Sequence, residues 1–203
     1  QEAGVESLDV LEDGTTFAEN AYKTARAYSE ASGLPALADD SGLEVDALGG
    51  APGIYTARYG GEGLTDRQRL EKLLEAMAGQ TERGAQFVCA LCLYWSEGKT
   101  LTAQGVCRGE IAHAPVGEDG FGYDPIFLVP EKRRTFAEME GEEKNAISHR
   151  GRALQKFKIE LEKYLGGQNG GFDKQADGPA SGHGKFPGSG APHRQGRPGR
   201  QPH

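Results

Sequence analysis

The clearest candidates for chemistry are two adjacent carboxylates. Asp39 and Asp40 directly follow a short apolar run at 34–38 and precede Ser41 and Gly42. Neighbouring carboxylates repel one another unless a cation compensates them, and Mg²⁺ prefers oxygen ligands together with substrate phosphates. A position just after an apolar strand is also where α/β folds bind ligands. The pattern indicates a cation site, although Asp-Ser-Gly is equally typical of an ordinary turn.

A glycine-rich segment at 117–127 is the second candidate. It carries two aromatic residues and an aspartate between its glycines, and such a loop can hold a flat base by stacking and hydrogen bonding. Glycine-rich turns are common, so this pattern does not identify a binding site by itself.

A basic segment at 143–151 is the third candidate. Ser148 is expected to cap a helix whose beginning is crowded by Lys144, His149 and Arg150. Basic groups at a helix N-terminus oppose the helix dipole, so local stability does not explain them. A helix N-terminus with Arg and Lys is, however, well suited to bind an anion or a carbonyl oxygen.

The elements that must position these segments alternate between helical and strand patterns. The first helix is predicted to begin with a capping box at Thr16, whose amide Glu19 reaches, and to end at Gly33. Strands at 86–95 and 100–107 are predicted to form a hairpin. Together the patterns predict an α/β fold with an antiparallel part in its sheet. Further helices are predicted from about Thr65 to Gly79 and from Ser148, the last burying Leu154, Phe157, Leu161, Tyr164 and Leu165.

Cysteine usage and hydropathy bear on the cellular compartment. Cys89 and Cys92 lie three apart in a predicted strand, so we expect their thiols to face opposite sides and to be buried rather than redox-active or metal-binding. Three cysteines without framework spacing favour a reducing compartment. The longest apolar stretch, 87–95, is too short to span a membrane, and the acidic N-terminus is unlike a signal peptide. The expected location is cytoplasmic.

The composition changes sharply after residue 165. Residues 166–203 contain eleven glycines and five prolines, with five Lys or Arg against two Asp. Such a segment cannot bury enough apolar surface to fold, so we predict a folded domain at 1–165 and a disordered basic tail at 166–203. The tail therefore carries +3 and the domain -10 of the net charge of -7, and an acidic domain disfavours nucleic-acid binding. RNA binding by the tail is an alternative that we consider less favoured than a plain flexible extension.

Taken in order, these segments resemble the inosine/xanthosine triphosphate pyrophosphatase family of nucleotide hydrolases. The resemblance runs from about Glu12 to Leu165. It rests on five motifs, at 14–20 (GTTFAEN), 38–46 (ADDSGLEVD), 48–59 (LGGAPGIYTARY), 120–127 (GFGYDPIF) and 143–153 (EKNAISHRGRA).

The resemblance implies an elongated α/β fold with a mixed sheet, two lobes and a central nucleotide cleft, assembled as a homodimer. It implies hydrolysis of ITP, dITP or XTP to the monophosphate and pyrophosphate with Mg²⁺. Asp40 would accept the proton of the attacking water and bind the metal with Glu12, while Asp39 would be a supporting carboxylate. The residues implied to contact the nucleotide are Ser41, Phe121, Gly122, Tyr123, Asp124, Lys144, His149 and Arg150, the last two favouring a 6-oxo purine.

The sequence departs from the family pattern in two respects. Family members are expected to open with a strand and a Ser/Thr-x-Asn-x-x-Lys loop that holds the triphosphate, and no copy of this motif occurs here, so the domain is expected to be N-terminally incomplete. Many relatives have lysine at the position of Thr24, whereas Lys23 lies about 100° around the helix, which disfavours a phosphate role.

Other functions remain open at this stage. One is a nucleotide-binding protein without turnover. Another is a pyrophosphatase for modified pyrimidine nucleotides, which the segment 148–150 disfavours.

Overall fold

The computed structural model describes residue 8 and residues 10–168. Within them, five strands form one sheet in the order β1-β2-β3-β4-β5, and each strand is antiparallel to its neighbour. The expected α/β fold is confirmed, while the sheet in this part of the chain is antiparallel rather than mixed. The elements are α1 (Phe17–Ser32), β1 (Ala36–Val45), α2 (Asp66–Ala76), β2 (Gly84–Tyr94), β3 (Thr100–Ile111), β4 (Phe127–Val129), β5 (Arg134–Thr135), α3 (Gly141–Ile147) and α4 (His149–Gln168).

Strand β1 is longer than the sequence suggested. It pairs with β2 without interruption, from Ala36 opposite Tyr94 to Val45 opposite Ala85. The segment 39–42, expected to come after the strand, therefore lies inside β1, so both the expected strand end and the alternative of an ordinary turn are wrong. The physical reason is that both carboxylates find partners from within the strand: Asp39 pairs with Arg150 and Asp40 accepts a hydrogen bond from Asn20, so neither prevents pairing.

The predicted hairpin of β2 and β3 is confirmed, and its five-residue loop at 95–99 is closed by a hydrogen bond from the Trp95 amide to the Lys99 carbonyl at 2.9 Å. Cys89 packs with Ala153 and Phe157 of α4. Cys92 packs on the opposite face with residues of α1. Both thiols are free and buried, as expected from strand alternation.

Three apolar clusters hold the described residues together. Helix α1 covers one face of the central strands with Phe17, Ala21 and Ala25, and α4 covers the other face. The third and largest cluster joins α2 to the far ends of β1–β4, and includes Leu43, Leu70, Leu73, Ile111, Phe127 and Phe136. The central strands are therefore covered by α1 on one face and by α4 on the other, and α2 packs at their ends.

Several details of the helices differ from the sequence-based prediction. Thr16 caps α1 as expected, but Glu19 accepts from the amide and hydroxyl of Thr15 rather than from the amide of Thr16. Leu154 and Leu165 are exposed, so their predicted burial is wrong. Because α4 lies flat on β3, only a narrow stripe through Ala153 and Phe157 is fully covered.

The last helix continues to Gln168, three residues beyond the predicted boundary at 165. The rest of the predicted tail, residues 169–203, lies outside the described residues. Among the described helices, none has both the length and the apolar character that a membrane crossing requires.

Gly105 of β3 allows α4 to approach the sheet closely. A Cβ atom at this position would collide with the backbone carbonyl of His149 and the amide of Ala153. Backbone atoms cannot move aside as a flexible side chain can, so the contact requires glycine.

We therefore expect Gly105→Ala to lower the free energy of unfolding by about 1–3 kcal/mol, the usual effect of overpacking. Urea denaturation measures this change. Gly166→Ala is the matched control, because a Cβ atom there meets nothing within 4 Å. Equal stability of the two variants would contradict the close contact.

Candidate active site

A cleft of about 730 Å³ opens between the end of β1, the loop at 119–124, and the beginning of α4. Its walls come from segments that are far apart in the sequence. The structure brings all eight residues predicted to contact a nucleotide into this lining: Ser41, Phe121, Gly122, Tyr123, Asp124, Lys144, His149 and Arg150.

The loop at 119–124 presents an aromatic ring to the cleft. Phe121 is 65% exposed, although large aromatic side chains are usually covered. Gly120 and Gly122 on either side have φ angles of +83° and +60°, a conformation that glycine adopts without strain. The ammonium of Lys144 lies 4.9 Å from the centre of the Phe121 ring. This exposed ring with a cation beside it is a suitable platform for a flat ligand.

Asp124 and Lys144 form a largely buried ion pair at the floor of the loop. Oδ2 of Asp124 accepts hydrogen bonds from Nζ of Lys144 and, at 2.9 Å, from the amide of Phe121. The Asp124 side chain is 4% exposed. One carboxylate therefore fixes both the lysine on α3 and the backbone beside the exposed ring.

His149 is a neutral histidine at neutral pH. Its ring stacks on Phe87, with ring centres 4.7 Å apart and 13° between the planes. Burial, followed by the charges of Arg150 and Lys144, lowers the pKa of His149 to about 4. Its Nδ1 atom is buried and finds no hydrogen-bond partner within the described part of the chain. The neutral imidazole thus retains hydrogen-bonding capacity next to the cleft.

Arg150 joins the start of α4 to β1. Its Nη2 and Nε atoms lie 2.8 and 3.1 Å from Oδ2 of Asp39. The same carboxylate accepts from the hydroxyl of Ser41 at 3.3 Å. Asp39, predicted as a supporting carboxylate, therefore serves as the partner of the arginine in this structure.

Asp40 projects from the other face of β1, as strand alternation requires. Its Oδ2 accepts a hydrogen bond from Nδ2 of Asn20 at 2.9 Å, and Asn20 is fully buried in α1. Burial, opposed by this hydrogen bond, raises the pKa of Asp40, and the charges of Glu12 and Asp39 raise the pKa further. A carboxylate with a raised pKa is a better proton acceptor than an ordinary one. Asp40 and Glu12 both lie outside the residues that line the cleft.

The carboxylate pair of Asp40 and Glu12 fits a magnesium ion in donor type and charge. The two charges act unfavourably on each other, as the pKa of Asp40 shows, and a cation would relieve this. Among the described residues, no group of three or more His, Cys, Asp or Glu side chains is arranged to hold a metal. Mg²⁺ commonly uses one or two carboxylates and completes its coordination with water and phosphate. The predicted metal role of Glu12 and Asp40 stays a prediction.

Sequence reasoning missed several residues of the site. Asn20 lay inside a quoted motif without a role, and the signal that could have found it was a polar residue on the apolar face of α1. Asp66 and Arg69 of α2 line the cleft, and no local pattern connects them to the loop at 119–124. Lys23 pairs with Asp13 at 2.6 Å on the surface, and its role towards phosphate stays a prediction.

Comparison with known sequences decides the family. The sequence model of the Ham1 family matches residues 1–160. The chain belongs to the Ham1 family. A Ham1-family relative from Desulfotalea psychrophila, a dITP/XTP pyrophosphatase, is 51% identical over 157 residues, covering 77% of this chain and 70% of the relative. Another dITP/XTP pyrophosphatase, from Gloeobacter violaceus, is 56% identical over 149 residues, covering 73% and 74% of the two chains.

Solved structures of Ham1 proteins share the fold. The HAM1 protein from Coxiella burnetii matches with a TM-score of 0.74 at 49% identity, over 77% of this chain and 81% of the other. The Ham1 protein from Staphylococcus aureus matches with a TM-score of 0.73 at 45% identity, over 79% and 82%. The expected family and fold are therefore confirmed.

The buried histidine makes stability depend on pH. Unfolded His149 takes up a proton near pH 6.5, whereas folded His149 does so only near pH 4. Between these values the unfolded chain binds more protons, so the free energy of unfolding falls as the pH drops through this window. The loss reaches roughly 3 kcal/mol at the acid end.

Urea denaturation of the wild type and of His149→Gln at several pH values checks this prediction. The difference between the two proteins should shrink or reverse as the pH falls from about 6.5 to about 4, because only the wild type loses this contribution. A difference that is constant across the window would contradict the assignment.

Proposed function

We propose that this chain hydrolyses deaminated purine nucleoside triphosphates, such as ITP, dITP and XTP, to the monophosphate and pyrophosphate. The observation that carries the proposal is the meeting of eight predicted nucleotide-contacting residues in one cleft. Relatives that are about half identical to the chain carry the name dITP/XTP pyrophosphatase. Release of pyrophosphate from ITP and XTP, compared with ATP and GTP, tests the proposal directly.

The base would be recognised between the exposed loop and the beginning of α4. Phe121 offers a stacking surface that is open to solvent in the absence of a ligand. Arg150 and Lys144 supply donors, and neutral His149 supplies a further ring nitrogen. Donors aimed at the 6-oxo group pair with hypoxanthine or xanthine, but they meet a donor again at the amino group of adenine. This difference is the proposed source of selectivity.

The reaction would be carried out beside Asp40. Its raised pKa and its hydrogen bond from Asn20 suit a carboxylate that orients an attacking water and accepts its proton. Glu12 and Asp40 would hold Mg²⁺, which supplies charge neutralisation of phosphate oxygens and a more acidic water when it is bound. Asp40 and Ser41 are consecutive in β1, so the backbone of Asp40 adjoins the cleft lining while its carboxylate faces α1 on the other side of the strand.

A homodimeric assembly and a cytoplasmic location belong to the same proposal. The homodimer rests on the family resemblance, and the cytoplasmic location rests on the cysteine usage of the chain. Light scattering of the purified chain tests the first of them.

We expect Asp40→Asn to lower kcat for ITP by about 10²–10⁴-fold, because the amide cannot accept the proton. Steady-state pyrophosphate release at saturating Mg²⁺ measures the change, and urea denaturation checks that the fold is retained. Asp13→Asn is the matched control, since Asp13 is an exposed carboxylate paired with Lys23. Unchanged turnover in Asp40→Asn would show that another group accepts the proton.

An inactive wild type would favour the alternative function. If ITP binds, as calorimetry would reveal, but no pyrophosphate appears even at high protein concentration, the chain is a nucleotide-binding protein without turnover.

We expect Arg150→Ala to reduce the preference for ITP over ATP, expressed as the ratio of their kcat/KM values, by roughly tenfold or more. The variant loses the guanidinium that would face the base. The discrimination between ITP and ATP should therefore fall more than the affinity for the phosphates. Arg152→Ala is the control: it removes the same charge from the same helix, where Arg152 donates to the Val106 carbonyl instead. An unaltered ratio in Arg150→Ala would count against its role in base selection.

A further inference from the structure

Helix α2 makes a direct contact with the loop that presents Phe121. Oδ2 of Asp66, the first residue of α2, accepts a hydrogen bond from the amide of Gly122 at 3.0 Å. The two residues are 56 positions apart in the sequence. The contact therefore joins two segments that are distant along the sequence.

Asp66 is itself held in place by Arg69, one turn further along α2. Nη1 of Arg69 lies 2.7 Å from Oδ1 of Asp66, and Nη2 donates to the carbonyl of Leu64 at 2.9 Å. The Arg69 side chain is only 13% exposed, whereas that of Arg67 on the same helix is 68% exposed. Arg69 thus differs from an ordinary surface arginine, because its guanidinium is fixed by two acceptors at once.

The loop needs such a restraint because its backbone is intrinsically free. Gly120 and Gly122 both have positive φ angles, and glycine has more accessible conformations than any other residue. The amide of Phe121 is held by Asp124, and the next amide, that of Gly122, is held by Asp66. Two consecutive amides are therefore fixed by two different carboxylates, one at the end of the loop itself and one from α2.

We infer that Asp66 and Arg69 are positioning residues for the base-binding loop, holding the Gly122 backbone so that the Phe121 ring is preoriented before the nucleotide arrives. The inference rests on the proposed function for the identity of the ligand. Neither side chain needs to touch the nucleotide. Preorienting a loop reduces the conformational freedom that is lost on binding, so the effect should appear mainly in KM rather than in kcat.

The test compares Asp66→Ala, Asp66→Asn and the control Glu71→Ala. Glu71 is an exposed carboxylate on the same helix whose partner is Arg67. We expect Asp66→Ala to raise KM for ITP by roughly fivefold to tenfold, as loss of a typical hydrogen bond would do, with a much smaller change in kcat. Glu71→Ala should leave both parameters unchanged.

Hydrogen exchange of the peptide that contains residues 119–124 gives a second readout that does not depend on activity. Asp66→Ala should exchange faster in this peptide, and Asp66→Asn should be less affected, because its amide oxygen can still accept from Gly122. If Asp66 acted only by its charge at the N-terminus of α2, Asp66→Ala and Asp66→Asn would lose the same charge. They would then show equal exchange rates in this peptide. Arg69→Lys, which keeps the charge but not the two-acceptor geometry, should also accelerate exchange.

The outcomes separate this inference from the proposed function. Unchanged exchange and unchanged KM in Asp66→Ala would overturn the positioning role. If wild type releases no pyrophosphate from ITP, the proposed function fails, and the exchange data still decide whether Asp66 holds the loop.

Discussion

The continuous pairing of β1 with β2 is the constraint on which the site depends. Consecutive residues of a paired strand must face opposite sides, so Asp39 and Asp40 cannot act as one cluster. Asp39 is directed towards α4 and meets Arg150, while Asp40 is directed towards α1 and meets Asn20. One strand thereby supplies a structural carboxylate to one side and a candidate proton acceptor to the other.

The carboxylates of the site are distinguished by their partners. Asp39, Asp66 and Asp124 are each paired with a cationic side chain, whereas Asp40 has a hydrogen bond from a neutral amide and carboxylates as charged neighbours. A paired carboxylate is satisfied and serves to hold a position. A carboxylate with only a neutral partner keeps its need for a positive charge, and this is the electrostatic condition under which a metal ion binds best.

Much of the fold could be predicted from local patterns. The caps at Thr16 and Thr65 and the hairpin of β2 and β3 follow from short-range chemistry that a sequence displays directly. The extension of β1 through 39–42 could not be predicted, because polar residues in that segment favour a turn when the pairing strand is ignored. Exposure of Leu154 and Leu165 likewise depends on how flatly α4 lies on the sheet.

The sequence predicted which residues line the site, but it did not predict the long-range contacts that hold them in place. The lining residues around Phe121 and His149 were implied by the family resemblance of their motifs, because glycine-rich turns are too common to identify a binding site by themselves. The contacts of Asn20 with Asp40 and of Asp66 with Gly122 bridge 20 and 56 residues. Neither has a spacing that local periodicity could reveal, so only the folded structure shows them.

The close approach of α4 to Gly105 has a consequence for how the cleft accommodates a ligand. The backbone at the beginning of α4 packs directly on β3 without an intervening side chain. This part of the helix therefore cannot move closer to the sheet. Ligands of different size must then be accommodated by side-chain movement, because the backbone of the opposite wall is itself held by Asp124 and Asp66. The cleft therefore has backbone fixed on both sides, and its shape before binding sets which ligands it accepts.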